Sequence, residues 1–159
     1  MKKQILFRLL KKYNLSHQCI NEIIKKISSN KSNLVSEINP SINLIKEYGN
    51  IIFTEESLNP ISYNQEITSE GIYMLPNNSK LEVGKNNCYF HTSNDKLWYN
   101  IENLPIIIRS RDDGDKINNK LVSDYLTNRK IPYLKKKDIL LLCSKENNVL
   151  AVLGYKGGK

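Results

Sequence analysis

The hydrophobic period of this chain changes near residue 30, and that change limits the folds open to it. Over residues 3–27 apolar side chains recur at spacings of three and four. Ile5, Leu6, Leu9, Leu10 and Tyr13 fall on one stripe, and Cys19, Ile20, Ile23, Ile24 and Ile27 on a second. Such spacing predicts two amphipathic helices. Ser16 suits the N-cap of the second, and the link Tyr13-Asn14-Leu15 is short enough to fold the pair into a hairpin. From Leu34 the period is two, broken by Asn39-Pro40-Ser41 and Gly49-Asn50. Short strands are expected at 34–38, 42–48 and 51–54, with turn residues between them.

Residues 55–66 read as an irregular acidic linker. A meander follows, with strands near 72–75, 80–83, 88–91 and 97–101, then a strand at 106–109. Leu121, Val122, Tyr125 and Leu126 mark a helix starting near Asn118 or Asn119. Pro132 is expected to end it, because proline disfavours helical geometry in the residue before it. Strands at 139–144 and 149–155 close the chain as a hairpin. The fold class is α+β: a helical hairpin domain, then a mixed domain of antiparallel strands with one or two short helices. The expected divisions are 1–54, a meander region at 55–103, and a last domain at 104–159.

Charge is distributed unevenly over the 159 residues. Residues 1–54 hold nine Lys/Arg against three Asp/Glu, residues 55–104 three against seven, and residues 105–159 twelve against six. A general bias towards Lys, Asn and Ile explains the Lys total, but not the acidic middle. Two basic ends suit a polyanion gripped at two places. Apolar runs such as Ile106–Ile108 and Ile139–Cys143 fall far short of the ~20 residues of a spanning helix. Arg8, Lys11 and Lys12 interrupt any signal-peptide core. The expectation is a cytoplasmic chain with no membrane partner. Cys19, Cys88 and Cys143 have no zinc or disulfide spacing, and His17 and His91 have no ligand-spaced partner. No phosphate-binding glycine loop, dinucleotide fingerprint or nucleophile elbow is present, so no catalytic residue is assigned.

The densest chemistry lies between Leu104 and Pro132. Arg109 and Arg111 alternate at a strand end, which places both on one face. Arg suits phosphate because its planar fork donates two parallel hydrogen bonds. Gly114 permits a positive-φ turn and Asp115 can accept from that turn's amides, so both are expected to shape the turn. Lys116, Lys120, Arg129 and Lys130 add cations around the following helix, where the last two also complement its dipole. The alternative for Arg109 and Arg111 is a solvated strand end with a salt-bridged turn. Asp112, Asp113 and Asp115 raise a second reading, a small Mg²⁺-dependent nuclease. No His or Glu at helical spacing completes that site, and no metal ligand is assigned. A third reading is a protein-interaction module docking through the acidic middle, with Glu55, Glu56 and Glu66. The first two helices look like a helix-turn-helix, but Glu22 on the would-be reading face repels phosphate.

The stretch Leu104-Pro-Ile-Ile-Ile-Arg-Ser-Arg-Asp-Asp-Gly-Asp-Lys-Ile117 resembles the opening of the C-terminal domain of tRNA(Ile)-lysidine synthetases. Lys120–Leu126, Lys130-Ile131-Pro132 and Val149–Tyr155 fit the same domain. Upstream, Gln4–Ile27 and Leu44–Tyr48 are similar to the family's middle region. The chain departs from the family pattern in having only Asn118 and Asn119 before Lys120, and Lys137-Asp138 where an Arg-Asp pair is usual. The resemblance implies an enzyme that uses ATP to attach lysine to the anticodon cytidine of the isoleucine tRNA. Its catalytic N-terminal domain carries a Ser-Gly-Gly-x-Asp-Ser loop that this chain lacks. ATP and Mg²⁺ belong to that missing domain, and no cofactor is expected here. The implied role is binding of the tRNA acceptor stem through Arg109, Arg111, Lys116, Lys120, Arg129 and Lys130. The implied partners are that tRNA and the catalytic domain of the same enzyme; a homodimer stays open. The chain is inactive alone on this reading, and is a fragment, the product of a split gene, or a stand-alone relative.

Overall fold

The structure is a computed structural model that describes residues 3–155. The chain forms two compact units, Met1–Asn59 and Pro60–Lys159. Together they hold helices and antiparallel strands in an α+β arrangement, with the helical part at the N-terminus.

In the first unit, α1 (Lys3–Leu10) buries Leu6 and Leu10, one turn apart. Ile5 and Leu9 are exposed rather than on the buried stripe, because they lie one step further round the helix. A 3₁₀ turn over Lys11–Tyr13 ends at Asn14, which takes the left-handed conformation (φ 51°). α2 (His17–Ser28) starts as its sequence predicts: the Ser16 hydroxyl accepts from the Cys19 N–H at 3.2 Å. Lys46 Nζ donates to the Ile27 and Ser29 carbonyls at 2.7 Å each. It thereby satisfies acceptors that a helix end leaves unpaired. Lys46 belongs to the sheet β1 (Leu34–Asn39), β2 (Ile42–Glu47) and β3 (Asn50–Thr54), ordered β1-β2-β3. Ile42 and Leu44 from β2 join Leu6, Leu10, Ile20 and Ile23 in one core.

The second unit is a stack of layers. Its central sheet has the order β13-β12-β9-β4, from β4 (Asn64–Ile67), β9 (Ile106–Ser110), β12 (Leu140–Cys143) and β13 (Val149–Val152). Against one face lies the meander β5 (Gly71–Met74), β6 (Lys80–Val83), β7 (Asn87–His91) and β8 (Lys96–Asn100). Ile106, Ile108, Leu140 and Leu142 meet Leu81, Val83, Cys88, Phe90 and Tyr99 in this layer. The Tyr99 hydroxyl donates to the Tyr155 carbonyl (2.7 Å) and accepts from the Gly154 N–H (3.0 Å), and burial pushes its pKa up to about 12. Against the other face lie the hairpin β10 (Lys116–Ile117) and β11 (Lys120–Leu121), and α3 (Val122–Asn128). Ile117, Val122 and Leu126 pack there on Leu141, Cys143 and Val152. A one-turn helix, α4 (Tyr133–Lys136), leads into β12.

Three expectations are corrected. First, the end of the supposed linker, from Asn64, forms β4 together with Ile67, paired in register from Asn64↔Arg109 to Ile67↔Ile106. The Ser110 N–H reinforces this edge by donating to the Tyr63 carbonyl at 2.8 Å. Secondly, the helix begins at Val122, not at Asn118 or Asn119. Those asparagines have φ of 50° and 62° and make the two-residue turn between β10 and β11. Positive φ at both central positions suits the strand twist of a tight hairpin, and Asn tolerates it. Thirdly, α3 stops before Pro132 has any part in it. Lys130 takes φ 53°, its N–H donates to the Thr127 carbonyl, and the Ile131 N–H donates to the Leu126 carbonyl. This double bond pattern satisfies two end carbonyls, with Ile131 packing back on the core.

Candidate nucleic-acid interface

Arg109 sits on β9 beside Ile107, on the face covered by α3. Its side chain is only 7% exposed and that of its partner Asp115 12%. The guanidinium donates from NH1 to Asp115 Oδ2 (2.8 Å) and from NH2 to Asp115 Oδ1 (2.7 Å). NH1 also donates to the Ser110 carbonyl (2.9 Å), and Nε to Asn147 Oδ1 (2.7 Å). Two parallel bonds to one carboxylate are the strong geometry for this pair. Hydrogen bonding to Asp115 raises the Arg109 pKa above its ordinary value, and the bonds from Arg109 hold the Asp115 carboxyl below its own.

Asp115 also fixes the turn. Its Oδ2 accepts from the Asp112 N–H at 2.7 Å, and Gly114 adopts φ 88°. Its carbonyl accepts from the Val122 N–H at 2.8 Å, which ties the start of α3 to the same residue. Asp115 therefore joins β9 and the turn through its carboxylate, and α3 through its backbone carbonyl.

The other candidate cations are placed differently. β9 ends at Ser110, so strand alternation does not carry to Arg111, which is half-buried just beyond it. Lys116 and Lys120 are exposed on the β10–β11 hairpin, Lys120 lying on a strand rather than at a helix start. Arg129 and Lys130 are exposed at the far end of α3. The Arg129 guanidinium lies 4.0 Å from the centroid of the Tyr125 ring, one turn earlier. The outer layer of the unit thus carries cations at both ends of α3, and Arg109 lies beneath it as an internal tie.

Two residues escaped the sequence reading. Asn147, in the β12–β13 turn, supplies the Nε acceptor of Arg109 from 38 residues away, and no local pattern marks it. Lys136, in α4, donates from Nζ to Thr127 Oγ1 at 3.1 Å and brings α4 against α3. Lys137 pairs with its neighbour Asp138 at 2.7 Å.

Both Asp115 oxygens accept bonds from Arg109, and among the described residues no group of three or more His, Cys, Asp or Glu is placed to hold an ion. An open depression of about 590 Å³ lies elsewhere, lined by Asn77, Thr92, Asp95, Lys135 and Asp138 among others. Among the described residues no helix is long and apolar enough to cross a membrane. No family model matches the chain, and no curated protein matches it.

Proposed function

We propose that this chain is a tRNA-recognition module of the kind found in tRNA(Ile)-lysidine synthetases, binding the acceptor stem for a separate ATP- and Mg²⁺-dependent catalytic domain in the cytoplasm. The observation that carries the reading is the exposed set Lys116, Lys120, Arg129 and Lys130 around α3, within the stretch whose sequence resembles that family. An A-form stem hides its base edges in a narrow major groove, so contacts to phosphates and 2′-hydroxyls dominate its recognition. Cations on a rigid hairpin and a short helix suit that task, because little side-chain order beyond their own must be gained on binding.

Arg109 has another part in this reading. Its guanidinium is buried and bonded to Asp115, Asn147 and Ser110, so it supports the turn that presents Arg111 and Lys116. The contacting set is then Arg111, Lys116, Lys120, Arg129 and Lys130. The test is binding of the chain to transcribed isoleucine tRNA across a salt series with duplex DNA as competitor. Selective binding that weakens steeply with salt supports the reading; equal affinity for tRNA and duplex DNA overturns it.

A further inference from the structure

The meander covers the central sheet with one face and leaves the other to solvent. Register fixes what stands on that outer face. One row runs Ile72, Glu82, Tyr89, Trp98 and the next Met74, Lys80, His91, Lys96. Beyond Tyr89 and Trp98, Asn87 and Asn100 form a third pair. Trp98 is 57% exposed, Ile72 65% and Met74 66%. An exposed indole on a regular strand contributes nothing to the core, and the residues around it are ordered by chemistry. Amides stand at one end, aromatic rings in the middle and cations at the other end.

The apolar members do not form a continuous patch. Ile72 is separated from Trp98 by Glu82 and Tyr89, across about 14 Å at the usual strand spacing. A hydrophobic protein interface needs a contiguous surface, so the pattern does not suit one. On this outer face two lysines, Lys80 and Lys96, stand with one carboxylate, Glu82, although the surrounding segment is acidic. Glu82 is already engaged by His91 at 3.1 Å and Lys96 at 3.9 Å, and Lys96 also lies 4.1 Å from the Tyr89 ring centroid. Lys80 shares their row, and Lys85 lies in the turn at the amide end.

We propose that this face binds unpaired RNA, stacking a nucleobase on Trp98 while Lys80 and Lys96 hold flanking phosphates and Asn87 and Asn100 meet base edges. Exposed aromatics beside cations are the means by which proteins hold single strands, since every base offers a π-face. A duplex keeps its bases stacked inside and gives Trp98 nothing to cover. The inference does not depend on the ligase resemblance, and this face and the α3 cations lie on opposite outer layers of the same unit.

Trp98 is the single tryptophan of the chain, so its emission reports this face alone. The full chain is titrated with a twelve-nucleotide oligouridylate and, separately, with a twelve-base-pair RNA duplex. The expected result is quenching of Trp98 by the single strand and none by the duplex. Trp98→Ala is expected to weaken oligouridylate binding about tenfold and Trp98→Phe to keep most of it, with unchanged melting curves. Equal binding by Trp98→Ala overturns the proposal, as does self-association that shields Trp98 without RNA. Failure of the stem reading shows instead as absence of duplex binding while oligouridylate still quenches.

Discussion

Replacing Asp115 with Ala removes one side chain but breaks three bonds. Arg109 loses both of its bonds to the carboxylate, and the Asp112 N–H loses its acceptor. The guanidinium keeps Asn147 and the Ser110 carbonyl. It remains a cation with a 7% exposed side chain and no counter-charge of comparable closeness, since Asp112 stands 3.6 Å away and is itself 80% exposed. Breaking one side of a buried ion pair costs about 3–5 kcal/mol. The rim of this pair reaches solvent, so the lower end applies, about 3 kcal/mol. Urea denaturation followed by Trp98 emission reads this unit directly. With a slope of about 1.5 kcal/mol per molar, the midpoint falls by roughly 2 M. Arg109→Met combined with Asp115→Leu removes both charges, and the stability is expected to return to within about 1 kcal/mol of the parent. A fall below about 0.3 M for Asp115→Ala refutes the reasoning, because water would then be replacing the carboxylate at no cost.

Gly114→Ala meets no atom within 4 Å. Its expected cost is therefore conformational alone, about 1 kcal/mol for φ 88°, with Gly114→Asn milder, both measured by the same urea midpoint. Acid should weaken the second unit through Asp115. Its folded pKa is depressed, so its contribution is complete above the ordinary value of 3.8 and is lost as pH falls through the lower folded value. Melting temperatures should drop below about pH 4, and Asp115→Asn should flatten that drop; an unchanged acid profile in the variant would contradict the assignment.

The parts of this fold legible from sequence are those fixed by neighbours in the chain. Ser16 caps α2 because its hydroxyl needs only Cys19, three residues on. The meander strands alternate cleanly because one face is buried and the other wet, which writes a period of two into the residues. Asn118 and Asn119 were ambiguous, since Asn serves both a helix start and a positive-φ turn. Arg109 was misplaced for a global reason. Alternation on β9 sets it beside Ile107, but only the packing of α3 shows that this face of the sheet is covered. The Asn147 contact and the pairing of β4 with β9 join segments 38 and about 40 residues apart, and no window of local sequence holds both partners. The identities of the exposed cations Lys116, Lys120, Arg129 and Lys130 came from sequence; their setting around α3 came from structure.

The central claim is that those exposed cations hold tRNA phosphates, and the salt dependence of tRNA binding tests it most directly. Affinity is measured from low to moderate salt for the parent and for Lys116→Ala, Lys120→Ala and Arg129→Ala singly and combined. The account predicts that each replacement weakens binding and lowers the slope of log affinity against log salt by roughly one phosphate contact, with unchanged urea midpoints. A combined variant that binds tRNA with the parent's affinity and slope would contradict it.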